Sequence, residues 1–473
     1  MCKIFICISL SGLFLAGSNS VFGKKTKDEA LKPNIILIVA DDLGYGDVGF
    51  NGQTKISTPN IDKIAKEGIV FTNFYAGSTV CGPSRASLIT GRHMGHCTVR
   101  GNPKWTNSGN PVDINDNDIT IAEVLKQADY STAIIGKWGL AENLSDGKPL
   151  NQGFDFFYGF NQHSPAHHYY PDSIWENNVK IRIEGNNWRK KETHYIQDLF
   201  TEKAKGFISR QNSQQPFFLY LAYTVPHYEL TVPGESKAQY QTLNWPLREM
   251  KSGHYLHDKN GHVTYAGMVS RMDKQIGEII ELLKQQGLDE NTIVIFTSDN
   301  GHAYDNVQQE FFNSNGPFRG KKRDLYEGGI HVPLAVRWPA RIKPNAKSDH
   351  ISAFWDLLPT LADASGCNIP ANIDGISFLP TLLNEKQKQH EYLYWEFNER
   401  NGPVQSVRKG DWKFVKLNHT KIELYNLSTD IGEKNNVAQY HPEIVKLMER
   451  LLKEARTYHP EFTLERISRK KKK

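Results

Sequence analysis

Several things are scarce in this chain of 473 residues, and each scarcity excludes something. It has five cysteines, and with Cys2 and Cys7 in its opening residues only Cys81, Cys97 and Cys367 remain for the body. An odd number excludes a fully paired disulfide framework. It leaves either one thiol with a special use or three unreactive core thiols. No apolar run approaches the roughly 20 residues that cross a bilayer, so no integral membrane segment is expected. An excess of charge is missing too, because the five basic residues Arg469–Lys473 account for the whole net charge of +5. A neutral body offers no electrostatic footprint for nucleic acid, and the tail reads as a solvated end. Internal repeats and low-complexity tracts are absent.

What is present reads as a globular protein. The opening "MCKIFICISLSGLFLAGSNSVFGKK" has a lysine, a short apolar stretch and small residues up to Gly23. That order predicts a signal peptide over residues 1–23 and an exported protein, periplasmic or secreted. Hydrophobic residues make up 39% and aromatics 11%, enough for a sizeable core. Four short β-branched runs end in polar residues: "NIILIVADD", "STAIIGKWG", "PFFLYLAYTVPH" and "NTIVIFTSDNG". Between them lie helical patterns such as "TPNIDKIAKEGIVF", "DITIAEVLKQADY" and "YAGMVSRMDKQIGEIIELLKQQG". The alternation predicts an α/β fold with a mainly parallel central sheet flanked by helices. From about residue 390 the pattern changes to short antiparallel strands and one amphipathic helix. We therefore expect a main α/β domain over 24–390 and a small α+β subdomain over 391–473.

In sheets of this kind ligands sit beyond the carboxyl ends of the strands. Here those ends carry Asp41 and Asp42, Lys137, His227, and Asp299 with Asn300. Asp-Asp-Leu-Gly or Asp-Asn-Gly alone is an ordinary turn. Together on adjacent strand ends, the four residues form an all-oxygen donor set that suits calcium or magnesium rather than zinc. Cys81 opens a helical pattern in "VCGPSRASLITGRH", where free N–H groups favour anions. No local histidine context supports a cysteine protease.

"CGPSRASLITGR" resembles the signature of the type I sulfatases that depend on formylglycine, of pattern Cys-x-Pro-Ser-Arg-x-x-x-Leu/Ile-Thr-Gly-Arg. "PNIILIVADDLGYGDVG", "FTSDNG", "GPFRGKKRDLYEGGIHVP" and "GDWKFVKL…ELYNLSTDIGEKNNVA" resemble further segments of that family in the same order. The resemblance implies an alkaline-phosphatase-like α/β core with a C-terminal sheet and helix. It implies that a formylglycine-generating, sulfatase-maturating enzyme converts Cys81 to formylglycine. It assigns a calcium to Asp41, Asp42, Asp299 and Asn300, with modified Cys81 also touching it. Arg85 would hold the aldehyde hydrate, Lys137 and Lys322 would contact sulfate oxygens, and His227 would protonate the leaving alcohol. Lys321 and Lys322 are adjacent, and register with Tyr326-Glu327-Gly328-Gly329 favours Lys322. One departure stands out. The family usually places a histidine two residues after its active-site lysine, and here that position is Gly139. His302, directly after "SDNG", is the candidate substitute.

The expected substrate is a sulfated carbohydrate. "GFDFFYGFNQHSPAHHYYPDSIWENN" is rich in aromatics, His and Asn, groups that stack on and hydrogen-bond sugars. We take Phe154, Phe156 and Phe157 as core and His163, His167 and His168 as candidate sugar contacts. A sulfated galactose or N-acetylgalactosamine unit is the expectation. Two rival readings stay open: a phosphate mono- or diester hydrolase of the same superfamily, and a degenerate sulfoglycan-binding protein, which Gly139 favours.

Overall fold

The computed structural model describes residues 32–142, 145–187, 193–249, 255, 258–399 and 402–465. The expected signal peptide and the basic tail lie outside them. Among the described residues one sheet contains β1 (Asn34–Ala40), β2 (Ile69–Phe71), β3 (Ser131–Lys137), β4 (Phe156–Phe160), β5 (Ser173–Glu176), β6 (Val179–Arg182), β7 (Phe217–Ala222), β8 (Thr292–Ser298), β9 (Leu334–Arg337) and β10 (Ala346–Ser348). Their order across the sheet is β10-β2-β9-β8-β1-β7-β3-β4-β5-β6. The four β-branched runs are thus the contiguous centre, β8-β1-β7-β3, and they are parallel. Antiparallel pairing is confined to the flanks, at β9 and at the β5–β6 hairpin.

The central runs are almost purely apolar because both sheet faces are covered. Along β1, Ile36, Ile38 and Ala40 face one cluster and Ile35, Leu37 and Val39 the other. Helices α1 (Pro59–Lys66), α4 (Ile196–Ile208) and α5 (Gly261–Gln285) cover the first face through residues such as Ile64, Phe200 and Met272. Helices α2 (Cys81–Thr90), α3 (Ile121–Lys126) and α6 (Leu357–Ala364) cover the second through Leu88, Leu125 and Leu361. Phe154 and Phe157 are buried core residues, and Phe156 packs half-buried against the core. None of the described helices is long and apolar enough to cross a membrane.

The C-terminal strands form an antiparallel meander, β11 (Leu393–Phe397), β12 (Val404–Lys409), β13 (Trp412–Leu417) and β14 (Lys421–Asn426). Tyr394, Val407, Phe414 and Leu424 pack on helix α7 (Pro442–Glu454) through Met448, Leu451 and Leu452. The alternate residues Leu393, Trp395 and Phe397 turn toward Tyr75, Val80 and Trp355. The Trp395 indole donates to the Ala76 carbonyl at 2.9 Å. This period-two division ties the meander to the segment that leads into Cys81.

Candidate active site

Parallel neighbours end on the same edge of a sheet, so β1 and β8 deliver their polar ends together. Ala40 pairs with Ser298, which sets Asp41 and Asp42 beside Asp299 and Asn300. Asp42 adopts a left-handed conformation (φ 67°), and its N–H donates to Asp299 Oδ1 at 3.1 Å. This turn aims both side chains of the Asp-Asp pair beyond the strand end. Lys137 is the last residue of β3, and its Nζ lies 2.6 Å from Asp41 Oδ2. His227 follows β7, with Nε2 at 3.3 Å from Asp42 Oδ2. Its Nδ1 donates to the Tyr228 carbonyl at 2.6 Å, which fixes Nε2 as the nitrogen facing the site.

Helix α2 supplies the other half. Val80 is its N-cap, so Cys81, Gly82 and Pro83 form its first turn. Proline is tolerated there because first-turn N–H groups have no intrahelical acceptor. The free Gly82 N–H donates to Asn102 Oδ1 at 3.1 Å, and a Cβ on Gly82 would stand only 2.7 Å from that oxygen. Ser84 Oγ donates to the Asp299 carbonyl at 2.6 Å. Arg85 Nε and Nη2 lie 3.0 and 2.8 Å from Asp299 Oδ2, and Nη1 donates to the Lys137 carbonyl at 2.9 Å. Each polar residue of "CGPSR" is therefore committed to the strand ends. Lys322 closes the ring, with Nζ 2.6 and 2.8 Å from the two Asp42 oxygens and 3.3 Å from Cys81 Sγ. Its neighbour Lys321 turns away to Asn306 Oδ1, at 3.0 Å near the surface.

The electrostatics of this cluster are those of a site built for more charge than the protein itself supplies. Asp41, Asp42, Asp299, Cys81 and Lys137 are completely buried. Asp41 stays well below the usual carboxylate range, because Lys137, His227 and Arg85 together outweigh the burial that would raise it. Asp299 is pushed up to about 7 by burial and by Asp41. Burial, then Asp41, pushes the Cys81 thiol up to about 12, the opposite of an activated cysteine nucleophile. Asp41 Oδ1 and Asn300 Oδ1 are buried without a hydrogen-bond partner among the described residues. Ligand atoms of Asp41, Asp42, Cys81 and His227 all lie within 4.8 Å of one another. Three carboxylates face three fixed cations, Arg85, Lys137 and Lys322. A divalent cation on the orphaned oxygens would relieve the crowding at Asp299 and leave a net positive site for an anion.

Three histidines line one wall. The rings of His167 and His227 stack with centroids 3.9 Å apart, and His163 meets His167 edge-on at 4.9 Å. His167 Nδ1 and the Tyr255 hydroxyl are hydrogen-bonded at 2.8 Å. His168 lies behind them, bonded to Glu229 Oε1 at 2.9 Å. His302 is fully buried, with Nδ1 3.4 Å from the Tyr265 hydroxyl and 3.6 Å from Asp47 Oδ2. Its carbonyl accepts the Lys322 N–H at 2.9 Å, so it braces the lysine loop. Sequence reasoning missed Asn102, Tyr220 and Tyr255. Tyr220 lies within β7, its hydroxyl accepting from Arg85 Nη1 at 3.4 Å, and nothing in its apolar run marks it out.

Comparisons with known proteins agree with this geometry. A family model described as Sulfatase matches residues 33–367. A second, N-sulphoglucosamine sulphohydrolase, C-terminal, matches residues 318–458. The chain is 31% identical to the N-acetylgalactosamine-6-O-sulfatase of Bacteroides thetaiotaomicron, covering 94% of this chain and 97% of the relative. It is 32% identical to the human N-acetylgalactosamine-6-sulfatase, over 85% of this chain and 81% of that one. Ps i-CgsB, solved in complex with k-i-k-neocarrahexaose, superposes with a TM-score of 0.75 at 30% identity, covering 89% of this chain and 92% of that one. With the match spanning most of the chain, this protein belongs to the sulfatase family of sulfuric ester hydrolases.

Proposed function

We propose that this sulfatase is exported and hydrolyses sulfate esters of a carbohydrate, using a formylglycine made from Cys81 and a calcium ion. The observation that carries the reading is the buried ring of Asp41, Asp42, Asp299 and Asn300 around Cys81, closed by Arg85, Lys137 and Lys322. All four metal donors are oxygens, two of them without partners among the described residues, which fits a hard cation better than zinc. The relatives act on N-acetylgalactosamine 6-sulfate by name, which favours a sulfated N-acetylgalactosamine or galactose unit. The aromatic and histidine-rich wall supports a sugar on that side.

The chain's own residues can be given roles from their placement. Lys137 and Lys322 offer ammonium groups to the sulfate oxygens, and Arg85 lends charge from behind Asp299. In a water-poor cleft such fixed cations stabilise charge that builds during sulfuryl transfer. A bound calcium supplies further polarisation of the sulfate, and formylglycine supplies an oxygen nucleophile that can be regenerated as the aldehyde. His227 carries its proton at Nε2 to the leaving alcohol. Burial pushes this ring down to about 4 in the protein alone, although Asp42 acts to raise it. An anionic ester beside it favours the protonated form needed for that transfer.

Sulfate release should be followed by ion chromatography over sulfated sugars that differ in ring and sulfate position. The protein is co-produced with a maturation enzyme, supplied with calcium, and run beside Cys81→Ala. Release from one sugar, lost in the variant, is the expected outcome. Faster turnover of the phosphate ester of the same alcohol would overturn it in favour of a phosphoesterase.

A further inference from the structure

Strands β3 and β4 are parallel neighbours, with Lys137 paired to Phe160. Beyond their ends the chain segments continue side by side. Trp138 and Gly139 donate their N–H groups to the carbonyls of Phe160 and Asn161, at 3.0 and 3.1 Å. This pairing brings Gly139 and His163 together at the wall of the site. Gly139 has φ +71°, and a Cβ built on it would stand 3.7 Å from Lys137 Cε and 3.8 Å from His163 Nδ1. The chain therefore places no side chain at 139, and an imidazole from the next strand's loop overhangs the vacant position.

The chemistry proposed above needs a proton acceptor near residue 81, and most groups there are committed. The carboxylates are held in ion pairs with Arg85, Lys137 and Lys322. His227 bonds Tyr228 through Nδ1 and faces Asp42 through Nε2. His167 is hydrogen-bonded to Tyr255 through Nδ1 and its ring lies flat against His227, so only its Nε2 lacks a partner among the described residues. His163 Nδ1 is buried with no hydrogen-bond partner among the described residues, while the residue as a whole is only half-buried. Burial, then the charges of Lys137 and Lys322, hold His163 well below the usual histidine range. A neutral imidazole keeps a lone pair available beside two ammonium groups.

Resting on the formylglycine reading, we infer that His163 is a catalytic residue, the base that lets sulfate leave residue 81 once the alcohol has gone. The hydroxyl that remains on Cβ of residue 81 loses its proton to His163. The electrons of that O–H bond form the C=O bond. The bond from Cβ to the sulfate oxygen breaks, and its electron pair departs with sulfate. Water then adds to the aldehyde and restores the hydrate. Glycine at 139 suits φ +71°, and its missing side chain leaves open the space beside His163 Nδ1.

The test uses the full chain co-produced with a maturation enzyme, with 4-nitrophenyl sulfate as probe. Its good leaving group removes the need for His227 in the first step. His163→Ala should release about one nitrophenolate per modified chain and then stall. Its steady-state rate should fall by on the order of 100-fold or more. Intact-protein mass should show sulfate retained on the chain, and a peptide digest should place it at residue 81. His163→Asn, which keeps a planar polar group of similar size, should trap sulfate in the same way. Wild-type turnover and no retained sulfate in both variants, with formylglycine verified at 81, would overturn the assignment and leave the proposed function intact. Retention in His167→Ala or His302→Gln instead would move the role to that residue. Turnover by a wild-type chain whose Cys81 is unmodified would overturn the formylglycine reading, and this inference with it.

Discussion

Replacing Lys413 by methionine tests one buried contact between the C-terminal meander and the segment that follows Lys322. Lys413 Nζ lies 2.8 Å from Glu327 Oε1, and neither side chain has any exposure to solvent. The other Glu327 oxygen accepts from the Tyr75 hydroxyl at 2.6 Å and bonds His331 Nδ1 at 2.9 Å. Glu433 stands close by, its Oε2 accepting the Glu327 N–H at 2.8 Å. Burial, helped by the Glu327 charge, pushes Glu433 up to about 8 even with Lys413 in place. Methionine keeps the packing and removes the cation, leaving a buried carboxylate beside a second acid. Breaking a buried pair in this way costs about 3–5 kcal/mol. A chain of this size shifts its Tm by about 1 °C per kcal/mol, so the variant should melt about 3–5 °C lower. Calorimetry on Lys413→Met, Glu327→Gln and the double variant measures the coupling directly. The double variant should lose less than the sum of the singles by about 2 kcal/mol or more. A single-variant loss under about 1 kcal/mol, or strict additivity, would falsify the account of this pair as the buried link.

Chelation should abolish sulfate release and lower Tm, and free calcium at about 100 times its Kd should restore about 2.7 kcal/mol of stability. Magnesium restoring both at lower concentration would reverse the choice of ion. Lys322→Ala should lower kcat/KM by on the order of 100- to 1000-fold, whereas Lys321→Ala, out at Asn306, should change it by no more than about twofold. His93, packed against Trp355 and Tyr394 and far from the metal donors in the sequence, is pushed down to about 4 by burial. Its folded value lies below its unfolded value, so the unfolded chain binds more protons between them. The stability of the neutral ring is complete above pH 6.5 and is lost as pH falls toward 4, about 3 kcal/mol in all. Denaturant titrations of His93→Gln should show a flatter acid limb over that window; an unchanged limb would show that His93 does not drive it.

Much of this arrangement was legible in the sequence because burial writes itself into composition. Strands covered on both faces must be apolar throughout, so the four central strands stood out, and each ended in or was followed by a polar residue. Parallel topology then placed those ends together. Lys322 could be told from Lys321 by its distance to the Tyr-Glu-Gly-Gly turn, whose Glu327 is anchored by Lys413. The flanking antiparallel strands were less visible, since β2 and β10 have only three residues each and leave no period to read. His163 was visible only as one histidine in a rich stretch. Its relation to Gly139 depends on the β3–β4 register, a pairing that no local pattern encodes. His302 illustrates the converse: adjacency to Asp299 and Asn300 in the chain left its ring against Tyr265 and Asp47.

Cys81 has no surface at all in the folded protein, and Arg85, Lys322 and Asp42 enclose it. On the proposed reading, an enzyme that oxidises this thiol cannot reach it once β1, β8 and α2 have come together. Modification and folding are then competing processes with a strict order. The fraction of active molecules is decided by which finishes first, and no later encounter with the maturation enzyme can correct it. A pulse of newly made chain should accept the modification, and chain that has already folded should refuse it until unfolded. Fast, cooperative assembly of the central sheet, ordinarily an advantage, would here lower the yield of active enzyme.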